Sequence, residues 1–509
     1  MGTTETTEQS LEVIGIVGCG LMGRGIAQIA VQGGMSVILH DTRPGAAEEA
    51  REAIAATLQK LADKGKIAAQ DALDAGARLS VAASLDDLAS CSAVVEAIIE
   101  KLDAKQELFR QLEAVVAAGC ILATNTSSLS VTSIAAVCKA PGRVAGFHFF
   151  SPVPLMKIVE VIAGPLTDAG VPERLTAIAR RMGHTPVRAS DTPGFIVNHA
   201  GRGYLTESLR ILGENIAPHP ELDRILREAA GFRMGPFELL DLTGLDVSQP
   251  VMESIYGQYY QEPRFRPSPI ARQRLAAGLL GRKSGRGFYV YQDGQKQDAS
   301  AVPVPPRSDV PVWLSSADTD AWPAVDRLLD ALGATRDRGE RPAADSLCLV
   351  LPVGQDATSL AVAARLDPAR TVALDPLFIN GRRTLMTTPV TSAAFRDAAH
   401  ALFAADGTPV SVIRDSAGLV CQRVLATIVN IGADIAQQGI ASPEDIDKAV
   451  TLGLGYPKGP LALGDALGAA TVLRILDGLF DFYRDPRYRP SPWLKRRALL
   501  GVSLLTPEN

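Results

Sequence analysis

A block of sequence that returns once, at a fixed distance, constrains this chain more than any other feature. Asp191-Thr192-Pro193-Gly194-Phe195-Ile196-Val197 recurs as Asp415-Ser416-Ala417-Gly418-Leu419-Val420-Cys421. Gly235-Pro236-Phe237-Glu238-Leu239-Leu240-Asp241 recurs as Gly459-Pro460-Leu461-Ala462-Leu463-Gly464-Asp465. Pro263-Arg264-Phe265-Arg266-Pro267-Ser268-Pro269 recurs as Pro486-Arg487-Tyr488-Arg489-Pro490-Ser491-Pro492. The offset stays at 223 or 224 residues, and a constant offset is the mark of one structural unit built twice. With 509 residues the chain is too long for a single core, so the duplication defines domains within it.

The stretch before the first copy alternates short β-branched runs with longer helical patterns, as a doubly wound α/β unit does. Val13–Val17, Ser36–His40, Ala93–Ala97, Cys120–Ala123 and Arg143–Gly146 read as strands, Gly25–Gln32 as a helix, and Ala46–Lys66 as a long helix with lysines at its end. Residues 194–290 read as mostly helical, with turns at Pro218-His219-Pro220 and Gly235-Pro236, and 295–312 as a linker rich in Pro, Asp and Gln. A smaller α/β segment, 313–414, has strands at Leu347–Val350, Thr371–Leu374 and Val410–Ile413, and its opening strand is followed by no glycine-rich turn.

Gly18-Cys19-Gly20-Leu21-Met22-Gly23 fits G-x-G-x-x-G between a strand and a helix, the setting in which that motif binds a dinucleotide. The glycines permit the tight turn, backbone approach to the pyrophosphate and close packing, while the helix N-terminus offers free N–H donors. Asp41 follows the second strand, where its carboxylate accepts from the adenosine ribose and repels a 2′-phosphate. NAD is therefore favoured over NADP, with Arg43 softening the preference slightly. The expected fold class is α/β plus all-α. A Rossmann-like NAD-binding domain (12–190) precedes a helical substrate or dimerisation domain (191–294). A degenerate repeat of both follows, as a linker with a reduced Rossmann-like domain (295–414) and a second helical domain (415–509).

A net charge of −5 argues against nucleic acid as the main partner, since phosphate binding needs clustered positive charge. The six cysteines are scattered without a C-x-x-C pair, and the six histidines lack metal-ligand spacing, so neither disulfides nor a metal are expected. Met1–Thr6 carries no secretion signal, and its formal match to a myristoylation pattern lacks a polybasic second anchor. No run reaches the roughly 18 apolar residues of a membrane span. The expectation is a soluble, cytoplasmic protein.

Chemistry is expected between Asn125 and Glu160. Asn125-Thr126-Ser127-Ser128-Leu129 supplies a hydroxyl, His148 an imidazole suited to general base work near neutral pH, and Glu160, beyond the Pro152-Val153-Pro154 turn, a carboxylate on a returning strand. A carboxylate against the imidazole fixes its tautomer and stabilises the imidazolium.

These residues, with His148-Phe149-Phe150-Ser151-Pro152-Val153-Pro154, Asp191–Asn198, Gly235–Asp241 and Lys283-Ser284-Gly285-Arg286-Gly287-Phe288-Tyr289, resemble the L-3-hydroxyacyl-CoA dehydrogenase family over residues 12–291. The resemblance implies NAD-linked oxidation of the 3-hydroxyl of a CoA thioester. It implies His148 as base, Glu160 as its partner, and Ser127 and Asn198 as donors to the substrate oxygens. It implies cofactor contacts at Gly18, Gly20, Leu21, Met22, Gly23, Asp41, Glu100, Lys105, Ser151 and Lys283, and CoA contacts at Thr57 and Lys64. Ser151 stands where the family commonly has asparagine, with shorter reach.

The second half resembles that of longer bacterial members, some of which act on 3-hydroxybutyryl-CoA or on 3-hydroxyadipyl-CoA in phenylacetate breakdown. Residues 374–380 occupy the place of the His148 segment without a histidine, and Gln422 replaces the substrate asparagine, so this half is expected to be silent. Alternative readings are a dehydrogenase of another hydroxy acid, of the L-gulonate type, or a non-catalytic relative. The lysine-bearing helix after Asp41 favours the CoA substrate, and the retained Ser127, His148, Glu160 and Asn198 set argues against a scaffold. Since single-copy relatives pair through the helical unit, its two copies are expected to form an internal pseudo-dimer, with a homodimer as the other assembly.

Overall fold

The computed structural model describes residues 12–298, 300, 302–316 and 321–508. The leader Met1–Thr6 lies outside them. The chain forms two compact units, one of Met1–Val197 with Gly439–Leu454, the other of Asn198–Gln438 with Gly455–Asn509.

The first unit is built on an eight-stranded sheet: β1 (Val13–Val17), β2 (Ser36–His40), β3 (Leu79–Val81), β4 (Ala93–Glu96), β5 (Ile121–Thr124), β6 (Val144–Phe149), β7 (Ile158–Ala163) and β8 (Thr185–Ser190). Their order is β3-β2-β1-β4-β5-β6-β7-β8. Pairing is parallel from β3 to β6, antiparallel between β6 and β7, and parallel again between β7 and β8. Because the central strands are covered on both faces, they are continuously apolar, and Ile14, Ile16, Leu39, Val95 and Phe147 are buried in one core. Each such side chain contributes about 1.5–3 kcal/mol by leaving water.

Strand order reverses beside β1, so the carboxyl ends of β1 and β4 frame the crevice in which doubly wound sheets bind ligands. Several boundaries differ from the sequence expectation: β5 and β6 are shifted, β6 running on to Phe149, and two helix ends move. Helix α1 (Leu21–Gln32) begins four residues before Gly25, at the glycine turn itself, and α2 (Ala46–Asp63) stops short of Lys66. Lys64 caps α2, and Gly65 takes a φ of +64°, a left-handed conformation that ends the helix.

The second unit holds a six-stranded sheet and most of the helical copies, Gly439–Leu454 belonging to the first unit. The hairpin β9 (Tyr291–Gln292) and β10 (Gln295–Lys296) precedes β11 (Val312–Leu314), β12 (Arg336–Asp337), β13 (Leu347–Val350), β14 (Thr371–Leu374), β15 (Arg383–Thr387) and β16 (Val410–Arg414). The sheet order is β12-β11-β13-β14-β15-β16, antiparallel only between β14 and β15. The expected linker, 295–312, therefore contains β10 and the first residue of β11. The expected turns at 218–220 and 235–236 are helix starts, because a proline in the first helical turn loses no hydrogen bond. Pro218 caps His219–Glu228, and Gly235 caps Pro236–Thr243.

Helix Arg202–Gly213 packs on helix Cys421–Gln437 so closely that a Cβ on Gly203 would lie 3.2 Å from the Ile428 backbone. Fully buried Arg423 joins them by ion-pairing with Glu207 at 2.5 Å and Glu214 at 2.6 Å. Among the described residues no helix is long and apolar enough to cross a membrane, and no cluster of three or more His, Cys, Asp or Glu is placed to hold a metal ion.

Candidate active site

The glycine turn is as tight as its sequence implies. Gly18 has a φ of +99°, and a Cβ there would meet the Ala97 carbonyl at 2.6 Å; a Cβ on Gly23 would lie 1.8 Å from the Gly18 carbonyl. Nothing stands within 4 Å of a Cβ on Gly20, the α1 cap, so backbone there is open to a ligand. Leu21, Met22 and Gly23 form the first helical turn, whose N–H groups have no partner within the helix. A cavity of about 330 Å³ beside it is lined by Gly18, Asp41, Leu85, Ile98 and Leu108. Asp41 accepts from the Cys19 N–H at 2.7 Å and the Arg43 N–H at 2.9 Å, which fixes its carboxylate at the mouth of this cavity. These residues fit a dinucleotide: an open glycine, unpaired helix N–H groups, an apolar slot and a carboxylate. The Arg43 side chain is instead engaged with Glu49, both well exposed.

Glu100 organises the turn that carries Ser127. Its carboxylate accepts from Thr126 Oγ1 at 2.7 Å, the Ser127 N–H at 2.9 Å and the Ser128 N–H at 3.0 Å. Burial alone would push this carboxyl up, but the Thr126 hydrogen bond, the Lys105 charge and the Ser127 and Ser128 donors hold it below the usual carboxylate range. Ser127 Oγ also lies 3.3 Å from Glu100. Lys105, expected at the cofactor, is 1% exposed and pairs with fully buried Glu96 at 2.5 Å and with Glu100 at 3.3 Å. Its charge serves an internal ion pair that orients Glu100.

His148 lies on β6, directly opposite Glu160 on β7. The predicted return of the chain thus sets imidazole and carboxylate face to face, with Nδ1 2.6 Å from Glu160 Oε2. A carboxylate only accepts, so Nδ1 carries the proton and Nε2 is the basic nitrogen. Glu160 Oε1 accepts from the Ile196 and Val197 N–H groups, both at 2.9 Å. Gly194 and Phe195, at φ of 78° and 48°, turn the repeated motif so that those donors converge. Phe150 and Phe195 flank the imidazole at 4.4 and 5.8 Å.

Two residues not assigned roles from sequence hold this frame. Asn125 Oδ1 accepts from the Phe149 N–H at 2.9 Å, fixing the end of β6. Asp191 accepts from the Val131 N–H at 3.1 Å, and from the Thr132 N–H and Oγ1 at 2.7 and 2.6 Å. The recurrence of Asp191 as Asp415 was the signal for the second. Ser151 is exposed beyond β6. Thr57, whose Oγ1 donates to Ala53 O at 2.8 Å, lines a cavity of about 240 Å³, and Lys64 is exposed at the end of α2. In the second unit, Asn198 begins the run that Arg202 clamps by bonding its carbonyl at 2.8 Å, and Lys283 pairs with Asp246 at 2.5 Å on the surface.

The second sheet repeats the frame with other side chains. Asp415 accepts from the Ala357 N–H at 2.8 Å, the Thr358 N–H at 3.1 Å and Thr358 Oγ1, as Asp191 does from Val131 and Thr132. Ala163 pairs with Ser190, just before Asp191, and Thr387 pairs with Arg414, just before Asp415. Three residues back, Thr384 takes the place of Glu160. The Asp375 N–H donates to Thr384 O at 3.0 Å, so Asp375 takes the place of His148. Gln422 donates to Asp375 Oδ1 at 2.9 Å and Pro352 O at 3.0 Å, and accepts from the Gly354 N–H at 2.9 Å. Burial pushes the Asp375 carboxyl up to about 6, and its Oδ2 is buried without a partner.

A dinucleotide turn together with a buried histidine–carboxylate pair defines an NAD-linked dehydrogenase. Comparison with known proteins gives the family. The model of the 3-hydroxyacyl-CoA dehydrogenase NAD binding domain matches residues 13–192, and that of the C-terminal domain matches 194–291 and 418–503. The 3-hydroxyadipyl-CoA dehydrogenase of Escherichia coli is 38% identical over 96% of this chain and 98% of its own. The mitochondrial hydroxyacyl-coenzyme A dehydrogenase of Sus scrofa is 40% identical over 54% of this chain and 90% of its own. The crystal structure of 3-hydroxybutyryl-CoA dehydrogenase from Escherichia coli K12 superposes with a TM-score of 0.84 at 36% identity, covering 96% of this chain and 98% of that one. The chain belongs to the 3-hydroxyacyl-CoA dehydrogenase family, and it is an NAD-dependent enzyme that oxidises 3-hydroxyacyl-CoA.

Proposed function

We propose that this enzyme oxidises L-3-hydroxybutyryl-CoA or 3-hydroxyadipyl-CoA in cytoplasmic fatty acid or phenylacetate catabolism, using one site, in its first half. The observation that carries the site is the buried His148–Glu160 pair at 2.6 Å, with the far oxygen of Glu160 held by two backbone donors. When bound, NAD supplies the hydride acceptor, held by the Gly18–Gly23 turn, Asp41 and Glu100, with Ser151 and Lys283 as further contacts. His148 takes the 3-hydroxyl proton at Nε2. Glu160 keeps the proton on Nδ1 and offsets the imidazolium charge as it forms. Ser127 and Asn198 donate to the substrate oxygens, and Thr57 and Lys64 hold the CoA moiety.

NADH formation from 3-hydroxybutyryl-, longer-chain and 3-hydroxyadipyl-CoA, with L-gulonate beside them, tests the substrate. Turnover of one of the two proposed CoA thioesters above the others supports the reading. Oxidation of L-gulonate without oxidation of the thioesters rejects it.

The two helical copies form an internal pseudo-dimer within the four-part organisation of 12–190, 191–294, 295–414 and 415–509. Reciprocal contacts support this. The Ser190 N–H donates to Ile440 O at 2.8 Å, and 224 residues on the Arg414 N–H donates to Ile216 O at 3.0 Å. Helix Pro443–Leu454, from the second copy, packs on β7 and β8, while Ser411 of β16 bonds Glu221 of helix His219–Glu228, from the first copy, at 2.7 Å. Arg264 donates to Arg489 O at 2.8 Å, and Arg487 to Pro263 O at 3.1 Å. Each copy thus lends a helix to the sheet of the other. Deleting 415–509 is expected to cost solubility and activity, measured by sedimentation and NADH formation; a soluble, fully active truncation contradicts the pseudo-dimer.

A further inference from the structure

The cavity beside Thr57 contains a charge that nothing so far explains. Its walls come from α1, α2 and the Pro152–Pro154 segment that follows the His148 strand, and Leu21, Gln28, Ile54, Thr57 and Val153 line it with Arg24. A Cβ on Gly25 would lie 2.8 Å from Val153 Cβ, so α1 is pressed against that segment and the cavity is built next to the catalytic strand. Of the residues that line it, Arg24 alone is charged.

Arg24 is exposed in the first turn of α1, and among the described residues its guanidinium has neither an ion-pair nor a hydrogen-bond partner. Neighbouring cations differ: Arg43 is paired with Glu49 and Lys105 with Glu96. An arginine with no carboxylate in direct contact, though near enough to Glu49 to lower that carboxyl by its charge, is set at a partly apolar recess to take a phosphate or carboxylate by paired N–H donors. The cavity shares no lining residue with the one at Asp41, so its ligand is separate from the adenosine of the cofactor.

We propose that Arg24 binds a phosphate of the CoA moiety, in the cavity it shares with Thr57, and so sets the affinity of this enzyme for CoA thioesters over shorter ones. This rests on the placement of CoA along Thr57 and Lys64. A carboxylate at the end of the acyl chain is the other anion the substrate could offer, and the position of the cavity beside α2 favours the phosphate.

Steady-state kinetics at saturating NAD, on 3-hydroxybutyryl-CoA and on 3-hydroxybutyryl-pantetheine, which lacks phosphate, test this. For Arg24→Gln the expected result is a KM about tenfold higher for the CoA thioester, the scale of one charged hydrogen bond, with kcat changed by less than about twofold. On the pantetheine thioester the variant and the parent should coincide, and Arg24→Lys should recover part of the loss. An unchanged KM for the CoA thioester, an equal penalty on both thioesters, or a raised KM for NAD would overturn the proposal. So would a penalty seen with 3-hydroxyadipyl-CoA but not with 3-hydroxybutyryl-CoA, which would assign Arg24 to the tail carboxylate. If the unaltered enzyme turns over neither CoA thioester, the substrate reading fails first and takes this proposal with it.

Discussion

The two sheets of this chain carry the same frame and different chemistry. In the first, Asp191 ties the chain to Val131 and Thr132, and the positions so fixed hold Ser127, His148 and Glu160. In the second, Asp415 makes the same bonds to Ala357 and Thr358, and the matching positions hold Asp375, Thr384 and Val353, which lies as far past the end of β13 as Ser127 lies past β5. Gln422, in the place of Asn198, is spent on Asp375, Pro352 and Gly354 inside the fold. What both halves retain is therefore scaffold, and what only one retains is the histidine–carboxylate pair proposed for proton transfer. The comparison separates residues such as Asp191, which hold the backbone, from His148 and Glu160, which have a use only if a substrate arrives.

Replacing His148 should break the comparison most severely. His148→Gln is expected to lower turnover by about three powers of ten or more, within the range of a general base, while NAD binding persists. Assay of NADH formation beside NAD titration checks it; near-normal turnover would remove His148 from the role.

The next largest effect falls on the first sheet alone. Lys105→Met leaves the Glu96 carboxylate buried without its cation, which costs about 3–5 kcal/mol. Denaturant unfolding measures this directly, and an unchanged midpoint would show that the pair does not support the fold.

A smaller effect marks the second sheet. Since burial raises Asp375 to about 6 from an ordinary 3.8, the folded chain holds a proton there that the unfolded chain releases. That contribution is complete below pH 3.8 and is lost as pH rises through about 6. Asp375→Asn should remove this slope and gain about 2–3 kcal/mol on the parent at pH 7, by the usual 1.36 kcal/mol per unit. Thermal unfolding between pH 4 and 7 tests it; parallel profiles would contradict it.

Arg43→Ala should matter least, because Arg43 is held by Glu49 at the surface. The ratio of NAD to NADP affinity is expected to move by less than about twofold.

Much of this was legible in the sequence, for identifiable reasons. Buried strands such as Val13–Val17 and Thr371–Leu374 declare themselves as β-branched runs between turns, and the His148–Glu160 return follows from two strands around a proline turn. Short or polar strands, β3, β12 and β15, carry no such signal. Lys105 reads from the resemblance as a cofactor contact and not as half of a buried ion pair, because its partner Glu96 becomes a neighbour only once β4 and the following helix pack. The exchange of Pro443–Leu454 onto the first sheet was hidden for the same reason: a helix's period shows that it has an apolar face but not what covers it. Asp375 as the counterpart of His148 needed strand register, since residues 374–380 share no motif with the first half.

The central claim, one working site in a twice-built chain, is tested most directly by counting. Calorimetric titration of NAD into the full-length enzyme should give one equivalent per chain, and His148→Gln should keep that stoichiometry while lowering NADH formation by about three powers of ten or more. Two equivalents per chain, or near-normal turnover after the loss of His148, would contradict the account.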